Sequence, residues 1–212
     1  MMQNQKIFLV EDDEKIVELL ITAFKQWGFK SVGAQNFRNV TSEILAENPD
    51  LILMDINLPY FNGFHLTQEI RKTSTIPIIF LSSQEDKMSK VMAMNFGADD
   101  FIEKPFDLEI LIAKIQAILR RAYTFSKNYT GLKFKGYELD LKANTVCLRE
   151  KKIFLSKNEM CILHIFFENQ NRLISRKKIM EKLWGNENFI DKNTLAVNIN
   201  RLRKKLMDIE LT

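Results

Sequence analysis

Apolar and polar positions follow two different periods along residues 1–121. Short apolar runs predict strands, and longer segments with apolar positions three or four residues apart predict helices. The predicted strands are Lys6–Val10, Ser31–Ala34, Leu51–Met54, Pro77–Leu81 and Asp100–Ile102. The predicted helices are Glu14–Trp27, Phe37–Glu47, Gly63–Lys72, Asp86–Asn95 and Asp107–Arg121. This alternation of strand and helix predicts an α/β domain with a parallel sheet between two layers of helices.

The pattern changes after this first domain. Residues 122–130 interrupt the alternation and are interpreted as a linker, and residues 131–212 follow a different order of elements. Short antiparallel strands are predicted within Leu132–Leu155, and helices at Lys157–Glu168, Arg176–Trp184 and Lys192–Asp208. Ser156 and Glu159 have the spacing of a capping box at the start of a helix. A second, α+β domain is therefore expected.

Charge divides the chain in the same way as the hydrophobic pattern. Residues 1–121 hold 13 Lys and Arg against 17 Asp and Glu, a net charge of −4, whereas residues 122–212 hold 18 against 10, a net charge of +8. The basic half suits a polyanion, and charge alone also fits a membrane surface. No apolar run approaches the ~20 residues that cross a bilayer, so a cytoplasmic protein without a membrane partner is expected. The two cysteines, Cys147 and Cys161, lack the spacing of a metal site or disulfide framework.

Polar side chains follow four of the predicted strands at their carboxyl ends, where ligands bind in open parallel sheets. Glu11 and Asp12 follow the first strand, Asp55 the third, Ser82 the fourth and Lys104 the fifth. Clustered carboxylates suit Mg²⁺, and an aspartate can act as the nucleophile toward a phosphoryl group. The ammonium and the hydroxyl would bind phosphoryl oxygens. Any one of these residues alone is ordinary loop chemistry, but together they predict metal-assisted phosphoryl transfer.

These motifs resemble the receiver domains of bacterial two-component response regulators, which have a flavodoxin-like (βα)5 fold. The resemblance rests on Val10–Asp13, Met54–Pro59, Leu81–Ser83 and Gly97–Phe106. It implies a sensor histidine kinase as partner and Mg²⁺ as cofactor. The implied roles are Glu11 and Asp12 as the acidic metal pair, Asp55 as phosphoacceptor and further metal ligand, Asn57 as a backbone-carbonyl ligand, Ser82 as switch hydroxyl, Phe101 as switch aromatic and Lys104 as the family's lysine.

The last predicted helix has an apolar stripe and a polar side. Leu195, Ile199, Leu202 and Leu206 form the stripe and are expected in the core. In isolation the polar side would be interpreted as a solvated surface. However, Ile153–Met160, Leu173–Arg176 and Leu183–Gly185, together with this helix, resemble the winged-helix DNA-binding domain of the OmpR/PhoB type. The resemblance implies a recognition helix within Asn193–Lys205, with DNA contacts from Asn193, Thr194, Asn198, Asn200, Arg201, Arg203 and Lys204.

The same resemblance implies two further features. Family members continue into a β-hairpin, the wing, whereas this sequence ends at Leu211–Thr212, so the second domain is expected to be truncated with the wing missing. Phosphorylation is expected to produce a homodimer through the helix Asp86–Asn95, the fifth strand and the helix Asp107–Arg121. Its expected contacts are an apolar patch of Val91, Met94 and Ile112, a cross-pair of Asp100 with Arg121, and Lys90, whose usual acidic partner is replaced by Ile110.

The predicted function is a phosphorylation-dependent transcriptional regulator that binds promoter DNA. A finer resemblance, carried by Leu81–Asp86, Met88, Val91–Met94 and Asn193–Leu206, is to regulators paired with antimicrobial-peptide-sensing kinases and ABC transporters of Gram-positive bacteria. Two alternatives remain open. One is a phosphatase or phosphotransferase that uses Asp55 for turnover. The other is a constitutive DNA-binding regulator whose receiver serves only for dimerisation.

Overall fold

The computed structural model describes residues 5–83, 96–124, 132–184 and 192–211. The chain divides into two compact units, Met1–Ile115 and Gln116–Thr212. The predicted helix Asp86–Asn95 and most of the predicted linker lie outside the described residues. In the part of the chain that is described, no helix is both long and apolar enough to cross a membrane.

The first domain contains a five-stranded sheet with the order β2-β1-β3-β4-β5, in which all neighbours are parallel. Its strands are β1 (Lys6–Val10), β2 (Lys30–Gly33), β3 (Leu51–Asp55), β4 (Ile78–Ser83) and β5 (Asp100–Lys104). Every residue of β3 is buried. A central strand covered on both faces is apolar along most of its length, and for this reason the pattern predicted it well. The predicted parallel α/β domain is confirmed.

The helices that follow the strands of this domain are α1 (Glu14–Gln26), α2 (Val40–Glu47), α3 (Gly63–Thr73) and α4 (Leu108–Thr124), and the boundary between the two units falls within α4. α1 begins after Asp13, whose carboxylate accepts hydrogen bonds from the backbone amides of Lys15 and Ile16 at 2.9 and 3.4 Å. α4 continues three residues beyond the predicted end at Arg121. The predicted linker boundary is therefore wrong here, because Ala-Tyr-Thr contains no residue that stops a helix.

α2 begins later than predicted, at Val40 rather than Phe37. The carboxylate of Glu43 accepts hydrogen bonds from the backbone amides of Gln35 and Asn36 at 2.9 and 2.7 Å. These two bonds hold the preceding residues as a loop and delay the start of the helix.

The second domain begins with an antiparallel sheet of four consecutive strands. These are β6 (Leu132–Phe134), β7 (Tyr137–Asp140), β8 (Thr145–Leu148) and β9 (Lys151–Phe154), and the helices that follow are α5 (Lys157–Glu168), α6 (Arg176–Trp184) and α7 (Lys192–Met207). One apolar core joins the sheet to the three helices, with Val146, Leu163, Leu183 and Leu202 among its buried side chains. This arrangement confirms the predicted α+β domain.

Candidate phosphorylation site and DNA-binding surface

The parallel sheet brings the predicted acidic residues together at the carboxyl ends of β1 and β3. These strands are neighbours, with Val10 beside Met54 in the register, so the residues that follow them meet at one edge. Carboxylate oxygens of Glu11, Asp12 and Asp55 all lie within 4.8 Å of one another. The predicted acidic cluster therefore forms.

Lys104, the last residue of β5, reaches this cluster. Its Nζ lies 2.6 Å from Oε2 of Glu11 and 2.6 Å from Oδ2 of Asp55. Both carboxylates belong to buried residues, with 5% and 6% of their surfaces exposed. One ammonium thus binds two neighbouring carboxylates and partly offsets their repulsion.

The cluster changes the acidity of two of its members. Burial, together with the nearby charge of Asp55, raises the pKa of Glu11 to about 7, against the lowering effect of the Lys104 hydrogen bond. For Lys104, burial favours the neutral form, but hydrogen bonds to Asp55 and Glu11 together raise its pKa above the ordinary value. Lys104 is therefore a permanent positive charge, whereas Glu11 gains or loses a proton near neutral pH.

The donor set fits Mg²⁺. This ion prefers oxygen ligands, binds through few carboxylates and retains several waters. Glu11, Asp12 and Asp55 supply carboxylates within one ion's reach, and Asp12 is exposed, which gives water access. The backbone amide of Asn57 donates a hydrogen bond to Oδ1 of Asp55 at 3.0 Å, so the residue lies beside the cluster. Its backbone carbonyl as a metal ligand stays a prediction.

Gly63 supports the loop that follows Asp55, a role that sequence analysis missed. A Cβ atom at Gly63 would lie 2.3 Å from the backbone oxygen of Asp55. The Gly63 amide also donates a hydrogen bond to the carbonyl of Ile56 at 2.9 Å. α3 can therefore begin directly against the end of β3 only if this residue has no side chain. The signal in the sequence was a glycine immediately after the N-cap residue Asn62.

The two predicted switch residues lie on neighbouring strands. Ser82 in β4 is 2% exposed, and its hydroxyl donates a hydrogen bond to the carbonyl of Ser83 at 3.2 Å. Phe101 in β5 is already buried, with only 9% of its surface exposed, so an inward rotation has little further surface to bury. The register pairs Phe101 with Phe80 of β4. Both predicted switch residues are therefore in the sheet, and their movement stays a prediction.

Arg71 in the last turn of α3 fixes the segment that leads into β5, a second role that sequence analysis missed. Its guanidinium donates hydrogen bonds to the carbonyls of Ile76 and Gly97 at 2.6 and 3.0 Å, and its Nη2 lies 2.8 Å from Oδ2 of Asp99. Asp99 is fully buried and also accepts a hydrogen bond from the amide of Ile78. One side chain thus ties α3, the start of β4 and the approach to β5 together.

Two residues predicted for the dimer surface have other roles. Both carboxylate oxygens of Asp100 lie 3.0 Å from Nζ of Lys114 on α4, and Asp100 is 1% exposed. The predicted cross-pair with Arg121 is wrong for this conformation because Asp100 is buried in an ion pair of its own domain. Ile112 is also 1% exposed and is a core residue, so it cannot supply an exposed patch. Arg121 lies in α4, while Lys90, Val91 and Met94 lie outside the described residues.

In the second domain, α7 buries the predicted stripe. Leu195, Leu202 and Leu206 are buried and Ile199 packs against the same core. Asn200, Arg203 and Lys204 are exposed, and their contact with DNA stays a prediction. Asn193 and Thr194 lie in the first turn of the helix.

Two predicted DNA contacts are corrected by the packing of α7. Asn198 has no exposed surface, because it stands three residues after Leu195 and four before Leu202 and shares their buried face. Arg201 is only 11% exposed at its side chain, and its Nε lies 2.6 Å from Oε1 of Glu159. Both side chains face the domain interior rather than a groove of DNA.

Comparison with known families identifies both halves of the chain. Residues 7–116 match the family described as response regulator receiver domain, and residues 150–211 match the family described as transcriptional regulatory protein, C terminal. A receiver followed by such a domain defines a class of transcription regulators rather than enzymes. The chain belongs to the OmpR/PhoB type of two-component response regulators, and this membership implies a histidine kinase and promoter DNA as partners.

Individual relatives agree with this family. The chain is 44% identical over 207 residues to the sensory transduction protein BceR of Halalkalibacterium halodurans, covering 97% of this chain and 90% of that protein. It is 57% identical to the solved N-terminal domain of the nisin resistance regulator NsrR, described as a lantibiotic response regulator, covering 55% of this chain and 98% of that one with a TM-score of 0.52. A solved mutant of RitR shares the fold, with a TM-score of 0.81, 23% identity and coverage of 98% of this chain and 92% of that one.

Proposed function

We propose that Asp55 accepts a phosphoryl group from a sensor histidine kinase and that this modification controls DNA binding by α7. The observation that carries the proposal is the cluster at the strand ends, where Asp55 is buried beside Glu11 and bound by Lys104. Aspartates in such surroundings act as nucleophiles in aspartyl-phosphate chemistry. Membership of the response regulator family supports the same role.

In the proposed transfer, a carboxylate oxygen of Asp55 attacks phosphorus while the bond from phosphorus to the kinase histidine nitrogen breaks. The histidine leaves with the electron pair of that bond. Glu11, Asp12 and Asp55 would hold Mg²⁺, which when bound would supply positive charge to neutralise phosphoryl oxygens. Lys104 already binds Asp55, so its ammonium is placed to move its hydrogen bond to a phosphoryl oxygen.

The proposed output begins at β4 and β5. A phosphoryl oxygen on Asp55 offers Ser82 a charged acceptor in place of the carbonyl of Ser83, its partner in the structure. A hydrogen bond to a charged group is stronger than one to a neutral carbonyl, so the hydroxyl moves toward the phosphoryl group. Phe101 on the neighbouring strand β5 would then adjust its packing. A local charge change of this kind biases a two-state element.

We further propose that the phosphorylated protein forms a homodimer that places two copies of α7 on repeated half-sites of promoter DNA. Asn193, Thr194, Asn200, Arg203 and Lys204 are the proposed DNA contacts. The exposure of the last three supports this role. Arginine and asparagine can read base edges, whereas lysine neutralises phosphates. Lys90, Val91, Met94 and Arg121 remain the proposed dimer contacts.

The proposed physiological setting is the cytoplasm, in a response to antimicrobial peptides. The support is the 57% identity of the receiver to the N-terminal domain of a nisin resistance regulator. The stimulus would act on the kinase, and the regulator would carry the signal to promoter DNA.

The test is to treat the chain with a small phosphodonor and Mg²⁺ and to measure its mass, its oligomeric state and its affinity for a DNA duplex obtained by binding selection with the phosphorylated protein. The proposal expects one phosphoryl group per chain, a dimer and tighter DNA binding, all lost in Asp55→Asn. Equal DNA binding and activation by Asp55→Asn would instead support constitutive binding. Release of many phosphates per chain would support an enzyme.

A further inference from the structure

The start of α5 and the recognition helix α7 are joined by a buried ionic cluster. The carboxylate of Glu159 is fully buried and lies 2.6 Å from Nε of Arg201 and 2.8 Å from Nζ of Lys205. Its Oε2 also accepts a hydrogen bond from the backbone amide of Ser156 at 2.7 Å. Oγ of Ser156 accepts from the backbone amide of Glu159, which completes the capping box predicted from the sequence.

The carboxylate in this cluster is ionised. Burial alone would raise its pKa, but the charges of Arg201 and Lys205 and the hydrogen bonds from Lys205 and Ser156 outweigh burial and lower the pKa of Glu159 to about 2. The cluster is therefore a carboxylate between two cations at any pH at which the protein would bind DNA. Isolated buried charges are costly, and this one is stabilised because its lone pairs have partners.

The two cations are held on one side of α7. Arg201 and Lys205 are four residues apart and so lie above one another on the helix surface. The Arg201 guanidinium also contacts Oγ of Ser156 at 3.2 Å, and the Lys205 ammonium lies 3.4 Å from the carbonyl of Phe154. Arg203 and Lys204, by contrast, are exposed. The basic run of α7 is thus divided into a pair directed at α5 and a pair directed at solvent.

We propose that Glu159 is a positioning residue of the DNA interface, which fixes the orientation of α7 and withholds Arg201 and Lys205 from the DNA backbone. This inference rests on the proposed role of α7 as the recognition helix. Cations that bind phosphates add affinity for every sequence. Because Glu159 binds two of them, DNA affinity depends more on the exposed side chains of α7 and less on charge alone. Glu159 thereby favours discrimination between DNA sequences.

Neighbouring lysines provide a matched test, because Lys204 is exposed and Lys205 is bound to Glu159. The full chain is titrated with a fluorescein-labelled duplex of random sequence at several salt concentrations. Each phosphate-bound cation contributes about 0.9 to the slope of log affinity against log salt. Lys204→Gln should reduce the slope by about that amount, while Lys205→Gln leaves it unchanged. An equal reduction by both variants overturns the inference.

Glu159→Gln tests the same point in the opposite direction. Glutamine can still accept the hydrogen bond of the capping box but carries no charge. The released Arg201 and Lys205 should make the slope steeper by about 0.9 for each cation that reaches a phosphate. In this background Lys205→Gln should now reduce the slope. A variant with parental circular dichroism and an unchanged slope overturns the inference.

The two lysine variants remain decisive if Glu159→Gln fails to fold, since both positions reach the surface. They also separate this inference from the function on which it rests. If Lys204→Gln and Arg203→Gln both leave the salt slope and the affinity unchanged, α7 is not the DNA-binding helix and the proposed interface itself fails. If those two variants weaken binding and Lys205→Gln weakens it equally, only the role of Glu159 fails.

Discussion

The ion pair between Arg71 and Asp99 gives a sharp prediction about the receiver domain. Arg71→Met keeps an unbranched, apolar side chain and removes the guanidinium, leaving the carboxylate of Asp99 buried beside the amide of Ile78. Removing one partner of a buried ion pair typically costs about 3–5 kcal/mol. For a domain of this size that loss lowers the melting temperature by about 10–20 °C.

Differential scanning calorimetry of the full chain measures this effect. We expect Mg²⁺ to shift the receiver transition upward and so to identify it, since a ligand that binds only the folded state stabilises that domain. The matched control is Lys72→Met, because Lys72 is the neighbouring residue, is 66% exposed at its side chain and pairs only on the surface with Glu69 at 2.6 Å. Exposed pairs contribute about 0–1 kcal/mol, so the control should melt within a few degrees of the parent.

The effects of changing Arg71 and Asp99 should also be coupled. Asp99→Asn removes the buried charge, so adding it to Arg71→Met should destabilise the domain much less than the sum of the two single changes. The proposed role of this ion pair is refuted if the free energy of unfolding of Arg71→Met lies within about 1 kcal/mol of that of the parent. It is equally refuted if the double variant loses as much free energy of unfolding as the two single variants together.

Three further predictions concern the acidic cluster and its neighbours. Folding raises the pKa of Glu11 from 4.5 to about 7, so the free energy of unfolding of the metal-free domain falls as the pH increases through that range. Because Mg²⁺ binds the ionised carboxylate, it should raise the melting temperature more above pH 7 than below it. Glu11→Gln should reduce this difference. Lys104→Gln removes a cation that competes with Mg²⁺ for the carboxylates of Glu11 and Asp55, so calorimetric titration should find tighter Mg²⁺ binding. Weaker binding would contradict this competition. Asp100→Asn should destabilise the receiver by about 3–5 kcal/mol, because it leaves the nearly buried ammonium of Lys114 without its charged partner. Sedimentation of the phosphorylated protein should show the parental dimer affinity, and loss of the dimer would support the predicted cross-pair of Asp100 with Arg121.

The strands of the receiver and the residues at their ends were predictable for one physical reason. A buried parallel strand needs an almost continuous apolar run, and the polar residue that ends the run marks the edge where ligands bind. Leu51–Met54 followed by Asp55 is such a case. Apolar residues at helical spacing were equally clear in the second domain, where α5 and α6 have the predicted bounds.

The residues that escaped prediction depend on partners far along the chain. Arg201 resembles a surface cation in sequence, but its partner Glu159 lies 42 residues away. Arg71 and Asp99 are 28 residues apart, and neither has a local pattern that indicates an ion pair. Asn198 is polar and was assigned to the surface, although its position relative to Leu195 and Leu202 places it on the buried face. Tertiary partners, which no local period reveals, decide these cases.

The central claim is that Asp55 is the phosphoacceptor, and intact-mass spectrometry tests it most directly. The chain is incubated with acetyl phosphate and Mg²⁺, and Asp55→Asn is treated in parallel. The account predicts a mass gain of one phosphoryl group in the parent, located by peptide mapping to the segment that contains Asp55, and no gain in the variant. A phosphoryl group on Asp55→Asn, or one located on another residue of the parent, would contradict it.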